Sequence, residues 1–296
     1  MNEMIDSFLK YLSYEKRYSQ HTINSYQTDL IQFETYRQIH HGSCRLEEAT
    51  HRMIRGWMVF LVELNYSPTS INRKIASLRS YYKFLLKNSS ISKDPTYKIR
   101  MLKSGKKIPH FVKEKEIIKL FDEFDFGKEF KGIRDKLLLE LLYGTGIRLS
   151  ELIHIRPADI DIYDQTVKVL GKRNKERIIP LNSELILLIN HYITLKKEKF
   201  TGNASEYLIV TNSGEKCYPM LVYRIVRKYL NLFTSIDKRS PHVLRHTFAT
   251  HLLNKGAELN AVKDLLGHTS LAATQVYTHN SLEKLKKVFD QAHPKA

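Results

Sequence analysis

The stretch PHVLRHTFAT, residues 241–250, sets His242, Arg245 and His246 at spacings i, i+3 and i+4. On a helix those three side chains share one face. An imidazole pair at i, i+4 is the ligand spacing of a helical zinc site. An arginine beside a histidine suits a phosphate: the guanidinium fork matches two non-bridging oxygens, and the imidazole donates to a third or moves a proton. The metal reading is the poorer one. No glutamate stands between the histidines, and the permanent charge of Arg245 opposes a divalent cation, although Glu258 and Asp264 follow in GAELNAVKDLLGH. No metal and no cofactor is therefore expected.

A phosphoryl-transfer site needs several cations, because its transition state spreads negative charge over several oxygens. Two other stretches supply them. GTGIRLSEL (144–152) puts Arg148 after a glycine-bracketed turn, with Ser150 placed to cap the next helix. Arginine is electrostatically awkward at a helix start, where the dipole favours anions, unless it faces an anion across a cleft. GKRNKER (171–177) carries Lys172 at the tip of a basic turn between two β-rich segments. LLGHTSLAATQVYTH (265–279) adds His268 and Tyr277. A tyrosine is a competent nucleophile toward phosphorus when nearby cations lower its pKa and a base takes its proton.

The elements that must position these groups follow from periodicity. Ser19 is expected as a helix cap, followed by Ile23, Tyr26, Leu30 and Phe33; WMVFLVEL (57–64) reads as a central helix. Ser67 and Pro68 open another helix with a buried stripe of Ile71, Ile75, Leu78, Tyr82 and Leu85. Arg73, Lys74, Arg79 and Lys83 fall off that stripe and read as an outward basic face. Residues 92–111 hold two prolines, one glycine and basic residues with weak periodicity, and mark a linker that includes Lys106 and Lys107. Beyond it, KEKEIIKLFDEF and GIRDKLLLELLYGTG read as helices, the second ending at Gly144. TVKVL (166–170), RIIPL (177–181) and EYLIV (206–210) read as strands, and the chain is helical again from 219. The fold class is thus mainly α with a small antiparallel β-sheet: a helical domain over 1–95, a basic linker over 96–110 and a second domain over 111–296.

The net charge of +17 points to a polyanion partner. It is spread along the chain, +6 in residues 1–100, +3 in 101–110 and +8 in the remainder, as suits a protein that wraps its partner. Cys44 and Cys217 stand alone and form neither a zinc pattern nor a disulfide framework. No apolar run has the length of a membrane span, and the N-terminus lacks the layout of a signal peptide; a cytoplasmic protein is expected.

Arg148, Lys172, His242, Arg245, His268 and Tyr277, taken in order with the motifs around them, resemble the tyrosine recombinase (phage-integrase-type) family, in particular its XerC/XerD chromosome-dimer branch. The likeness runs along essentially the whole chain; one departure is Arg173, where relatives commonly carry glycine, which bears on the turn conformation. The resemblance implies a two-domain clamp around duplex DNA: a helical core-binding domain and an α/β catalytic domain. It implies that Tyr277 attacks the scissile phosphate to give a 3′-phosphotyrosyl link, that Arg148 and Arg245 hold the non-bridging oxygens, and that His268 adds a hydrogen bond. His242 would accept the tyrosine proton and Lys172 would protonate the leaving 5′-oxygen, with neither ATP nor metal. His246 and His251 match no catalytic role and read as structural. Arg73, Lys74, Arg79, Lys83, Lys106 and Lys107 are the expected DNA contacts. The final segment, with Leu282, Leu285 and Phe289 on one face, would fold back on its own domain or, as in relatives, dock on a neighbour.

The expected partners are a double-stranded recombination site and a tetramer on two such sites, homomeric or shared with a paralogous recombinase, with a septal DNA translocase as a further partner. Chromosome-dimer resolution at a dif-like site is the expected role. Integration of a mobile element by the same chemistry, a topoisomerase, a metal-dependent nuclease and a non-catalytic DNA-binding protein are the competing readings.

Overall fold

The computed structural model describes residues 3–42, 45–105, 111–171, 175–201 and 203–267, together with Lys286, Phe289, Gln291 and Ala292. The chain divides into two compact units, Met1–Lys107 and Ile108–Ala296, each with its own apolar core.

The first unit is helical: α1 (Glu3–Tyr14), α2 (Gln20–His41), α3 (His51–Glu63) and α4 (Pro68–Lys87). The expected caps form. Ser19 accepts from the Thr22 amide, Ser67 accepts from the Ser70 amide, and Pro68 occupies the first turn of α4. The stripe of α4 is buried as expected, with Ile71, Ile75, Leu78, Tyr82 and Leu85 fully enclosed beside Trp57, Phe8 and Phe33.

Its basic residues do not form one outward face. Arg73 and Lys83 are exposed, but Lys74 is buried and donates to Asp29 Oδ1 at 3.1 Å. Asp29, itself fully enclosed, also takes a two-pronged bond from Arg73 and a hydroxyl bond from Ser77. A buried carboxylate needs such partners, so Lys74 is drawn inward to neutralise it rather than held out for a phosphate. Arg79 spends its guanidinium on the Ile99 carbonyl. The stretch read from composition as the start of the linker therefore packs on α4: Thr96 and Ile99 are buried, and Asn72 exchanges hydrogen bonds of 2.8 and 2.9 Å with the Leu102 backbone. Lys106 and Lys107 lie outside the described residues.

The second unit is built around α6 (Phe130–Thr145), enclosed on nearly every side and packed against α7 (Leu149–Leu152), α8 (Ser183–Phe200), α9 (Pro219–Phe233) and α10 (Pro241–Asn254). Before it, α5 (Glu114–Ile118) runs into one π-helical turn, Lys119–Glu123; after α10 comes α11 (Leu259–Leu266). The sheet is a three-stranded antiparallel meander of β1 (Ile160–Asp161), β2 (Thr166–Leu170) and β3 (Glu176–Pro180), with Val167 opposite Ile179 and Val169 opposite Arg177. EYLIV is not the third strand. Its Leu208 amide bonds to Ile155 O at 2.7 Å and its Val210 amide to the Tyr192 hydroxyl at 3.2 Å. Only an isolated bridge joins Val210 to Lys216, and β1 fills the sheet edge instead.

Helix α6 ends one turn position later than expected: it continues through Gly144 to Thr145, and Gly146, left-handed at φ 60°, terminates it. A Cβ at Gly146 would stand 2.4 Å from a ring carbon of Phe248 on α10. Both the backbone angle and the close approach therefore demand glycine. Gly146→Ala is expected to lower unfolding free energy by about 2–4 kcal/mol, read as a shifted denaturant midpoint with an unchanged slope.

Candidate active site

The turn at Gly146 delivers Arg148 to the N-cap of α7, just before its first helical residue. Glu151, three residues on, returns a carboxylate to the Arg148 amide at 2.7 Å, so the capping group of this short helix is Glu151 rather than Ser150, which lies exposed within α7. The arginine at a helix start is thus matched by an anion from its own helix. Arg148 Nη1 donates to Glu151 Oε1 at 2.8 Å and its Nη2 to the Gly267 carbonyl at 3.2 Å.

Arg245 comes from α10 and is 8% exposed. Its two terminal nitrogens donate at 2.5 Å to the carbonyls of Gly146 and Leu266. Burial, then the neighbouring charges of Arg148 and Arg177, push its pKa down to about 10, with Glu151 opposing them. It remains cationic at neutral pH. Arg148 and Arg245 are therefore brought to one place, around the turn after α6 and the end of α11. Each uses two of its five N–H donors on described residues, which leaves donors on both for an anion.

A third guanidinium completes the cluster. Arg177, on β3, makes a two-pronged bond of 2.8 Å per arm to Glu151 and donates through Nε to the Leu265 carbonyl at 2.9 Å. Burial raises the pKa of Glu151, but the bonds and charge of Arg177 and the bonds from Arg148 outweigh it and hold the carboxyl below its ordinary range. Three guanidinium groups against one carboxylate leave the cluster with an excess of positive charge, the electrostatic requirement for holding a phosphate in place.

Motif reading missed Glu151 and Arg177. Both left a trace. Glu151 stands at the capping distance from Arg148, and period-2 alternation puts Arg177 on the same inward face as Ile179, where a charge demands a buried partner.

His242 lies exposed on α10, one turn before Arg245, and His246 is half-buried on the same helix. His251 is structural, as expected: its Nε2 meets the Val112 carbonyl at 3.0 Å and its Nδ1 the Tyr143 hydroxyl at 3.1 Å. A carbonyl can only accept, so Nε2 carries the proton and Nδ1 accepts from the phenol; burial lowers the imidazole pKa and keeps this neutral form. Thr247 accepts from the Val112 amide at 2.9 Å, so α10 grips both polar groups of that backbone unit. Lys172, His268 and Tyr277 lie outside the described residues, but Gly171 and Gly267, which immediately precede the first two, border the arginine cluster.

Among the described residues no group of three or more His, Cys, Asp or Glu stands close enough to hold a metal ion, and no helix is long and apolar enough to cross a membrane. Because the folded-state pKa of Glu151 is depressed, its ion pairs stabilise the fold above the unfolded carboxyl value of 4.5, and that stabilisation is lost as pH falls through the lower folded value. The stability advantage of the wild type over Glu151→Gln should therefore be full at neutral pH and shrink below 4.5, measured by urea unfolding across the acid range.

Comparison with known proteins gives the cluster a context. Residues 110–284 match the phage integrase family, and residues 5–89 match the phage integrase N-terminal SAM-like domain. The tyrosine recombinase XerC of Staphylococcus carnosus is 38% identical over 100% of this chain and 99% of its own length. That of Chlorobaculum parvum is 37% identical over 99% of this chain and 94% of its own. Among solved structures, XerH site-specific recombinase bound to a palindromic difH substrate superposes with a TM-score of 0.73 at 21% identity, covering 96% of this chain and 83% of that one. A λ integrase dimer bound to a COC′ core site gives 0.67 at 19% identity, covering 91% and 95%. A basic, phosphate-competent cluster set in this sheet-and-helix frame, together with full-length similarity to recombinases, shows that the chain belongs to the phage integrase family, the tyrosine recombinases that exchange DNA strands.

Proposed function

We propose that this recombinase resolves chromosome dimers in the cytoplasm at a dif-like site, and that its chemistry runs through Arg148, Lys172, His242, Arg245, His268 and Tyr277. The convergence of Arg148 and Arg245 on one buried, positively charged turn supports the residue assignment most directly. The two guanidinium groups arrive from helices about a hundred positions apart in sequence, with donors left over for non-bridging oxygens. Similarity to XerC proteins over the full chain supports the chromosomal role.

In this reading the Tyr277 oxygen attacks the scissile phosphorus, its proton passes to His242, and the bond from phosphorus to the 5′-oxygen breaks. Lys172 supplies the proton to the departing 5′-oxygen. Arg148, Arg245 and His268 stabilise the five-coordinate phosphorus, where the added charge appears. The phosphotyrosyl link keeps the phosphodiester free energy, so a second 5′-hydroxyl rejoins the strand by the reverse steps.

Arg73 and Lys83, exposed basic residues of α4, are the proposed backbone contacts of the first unit, with Lys106 and Lys107 further along the chain. The assembly is a tetramer on two DNA sites, homomeric or shared with a paralogous recombinase, under the influence of a septal DNA translocase. Phe289 and Ala292 are buried in the core of their own unit, so exchange of the C-terminal segment between subunits would require them to leave it.

A nicked suicide duplex carrying the candidate chromosomal site should give a covalent protein–DNA adduct with chelator present, and none with Tyr277→Phe. A chelator-sensitive cut without an adduct would instead mark a nuclease. Removing residues after 280 should slow cleavage on synapsed sites; a truncated protein as active as the full chain would remove the C-terminal segment from the mechanism.

A further inference from the structure

The carbonyls of Leu265, Leu266 and Gly267, three in succession at the end of α11, each accept from a different arginine: Arg177, Arg245 and Arg148. A helix C-terminus leaves such carbonyls without helical partners and carries partial negative charge, so cations settle there. Arg177 differs from the other two in bonding to described residues through all three of its guanidinium nitrogens. It is 4% exposed, and its Nε and both terminal nitrogens are committed to Leu265 and Glu151. It also fills the space between two glycines. A Cβ on Gly267 would stand 3.2 Å from its Cδ, and one on Gly171 would stand 3.5 Å from its Nη1. Those glycines immediately precede His268 and Lys172 in the chain.

We propose that Arg177 is a positioning residue for phosphoryl transfer: it neutralises Glu151 so that the charge of Arg148 stays available to the phosphate, and it fixes the end of α11 so that the next two carbonyls aim Arg245 and Arg148. This rests on the phosphate role of the two arginines argued above. Glu151 Oε1 is shared between Arg148 and Arg177, and Oε2 between the Arg148 amide and Arg177. Without Arg177 the carboxylate has Arg148 as its one cationic partner in the described cluster. The two charges then cancel, and the guanidinium turns from the phosphate to its own helix. The side chain that fills the space beside Gly171 and Gly267 is lost at the same time.

The test compares wild type, Arg177→Gln, Arg177→Lys, Glu151→Gln, the double variant Glu151→Gln/Arg177→Gln and, as the reference for loss of the phosphate-holding arginine, Arg148→Ala in the full chain. Adduct formation on the suicide duplex, DNA affinity and thermal unfolding are measured for each. Arg177→Gln should form adduct about 100-fold more slowly while its DNA affinity stays within about threefold. Arg177→Lys, which keeps the charge but not the fork, should recover about tenfold of that loss. In the Glu151→Gln background, where no carboxylate remains to capture Arg148, the same Arg177→Gln change should cost less than about tenfold.

Equal losses in both backgrounds would overturn the proposal, because Arg177 would then not act through Glu151. So would adduct formation by Arg177→Gln at the wild-type rate. If Arg177→Gln does not fold, the lysine and double variants, which leave no unpaired buried carboxylate, carry the comparison. There the proposal requires folded proteins whose rates exceed that of Arg148→Ala, and rates equal to it would refute the proposal. A wild type that forms no adduct would refute the tyrosine-nucleophile reading itself, a result separable from any of these.

Discussion

The end of α11 is where the second unit meets its hardest physical constraint. Three guanidinium groups stand together, two of them buried and Arg148 partly so, with a single carboxylate among them in the described residues. Like charges so arranged are costly unless each finds oxygen acceptors. The chain supplies them from Glu151 and from backbone: the carbonyl of Gly146 and the three that close α11. Dipolar oxygens satisfy hydrogen bonds without cancelling charge. The cluster therefore keeps its positive excess, which a site built from three arginine–carboxylate pairs would have lost. A phosphate entering it meets cations already aimed by these bonds, so little reorganisation remains for the reaction itself.

Much of the unit can be read as support for that arrangement. Gly146 lets the chain leave α6 in a left-handed turn against Phe248, which places both its own carbonyl and Arg148. Helix α10 carries Arg245 on its enclosed side and is fastened through Thr247 and His251 to the backbone of Val112. Strand β3 turns Arg177 inward through ordinary alternation. The meander is small, but it sets one buried charge against Glu151 from an element that neither α7 nor α11 provides.

The first unit handles a buried charge by a different route. Asp29 is fully enclosed and is matched by Lys74, Arg73 and Ser77, so one cation is consumed inside while Arg73 remains half in solvent. A basic sequence is therefore not the same as a basic surface. Of the five α4 cations Arg73, Lys83 and Lys87 are exposed, while Lys74 is buried and Arg79 ties the Ile99 backbone to the helix. The same bond, with that of Asn72 to Leu102, is why a stretch of linker-like composition packs as part of a core.

Local signals sufficed for what is local. Ser19 and Ser67 announce their helices because a cap bonds within its own first turn, and TVKVL forms a strand because alternation is a property of neighbouring residues. The order and spacing of Arg148, Lys172, His242, Arg245, His268 and Tyr277 likewise identified the family, since motif identity is written along the chain. Partner choice across long separations was not legible. Whether Lys74 faces water depends on Asp29, forty-five positions away, and whether EYLIV pairs as a strand depends on what its amides find in Ile155 and Tyr192. The roles of Glu151 and Arg177 appeared only once β3, α7 and α11 were brought together, because a buried charge is defined by its surroundings and those come from the tertiary fold.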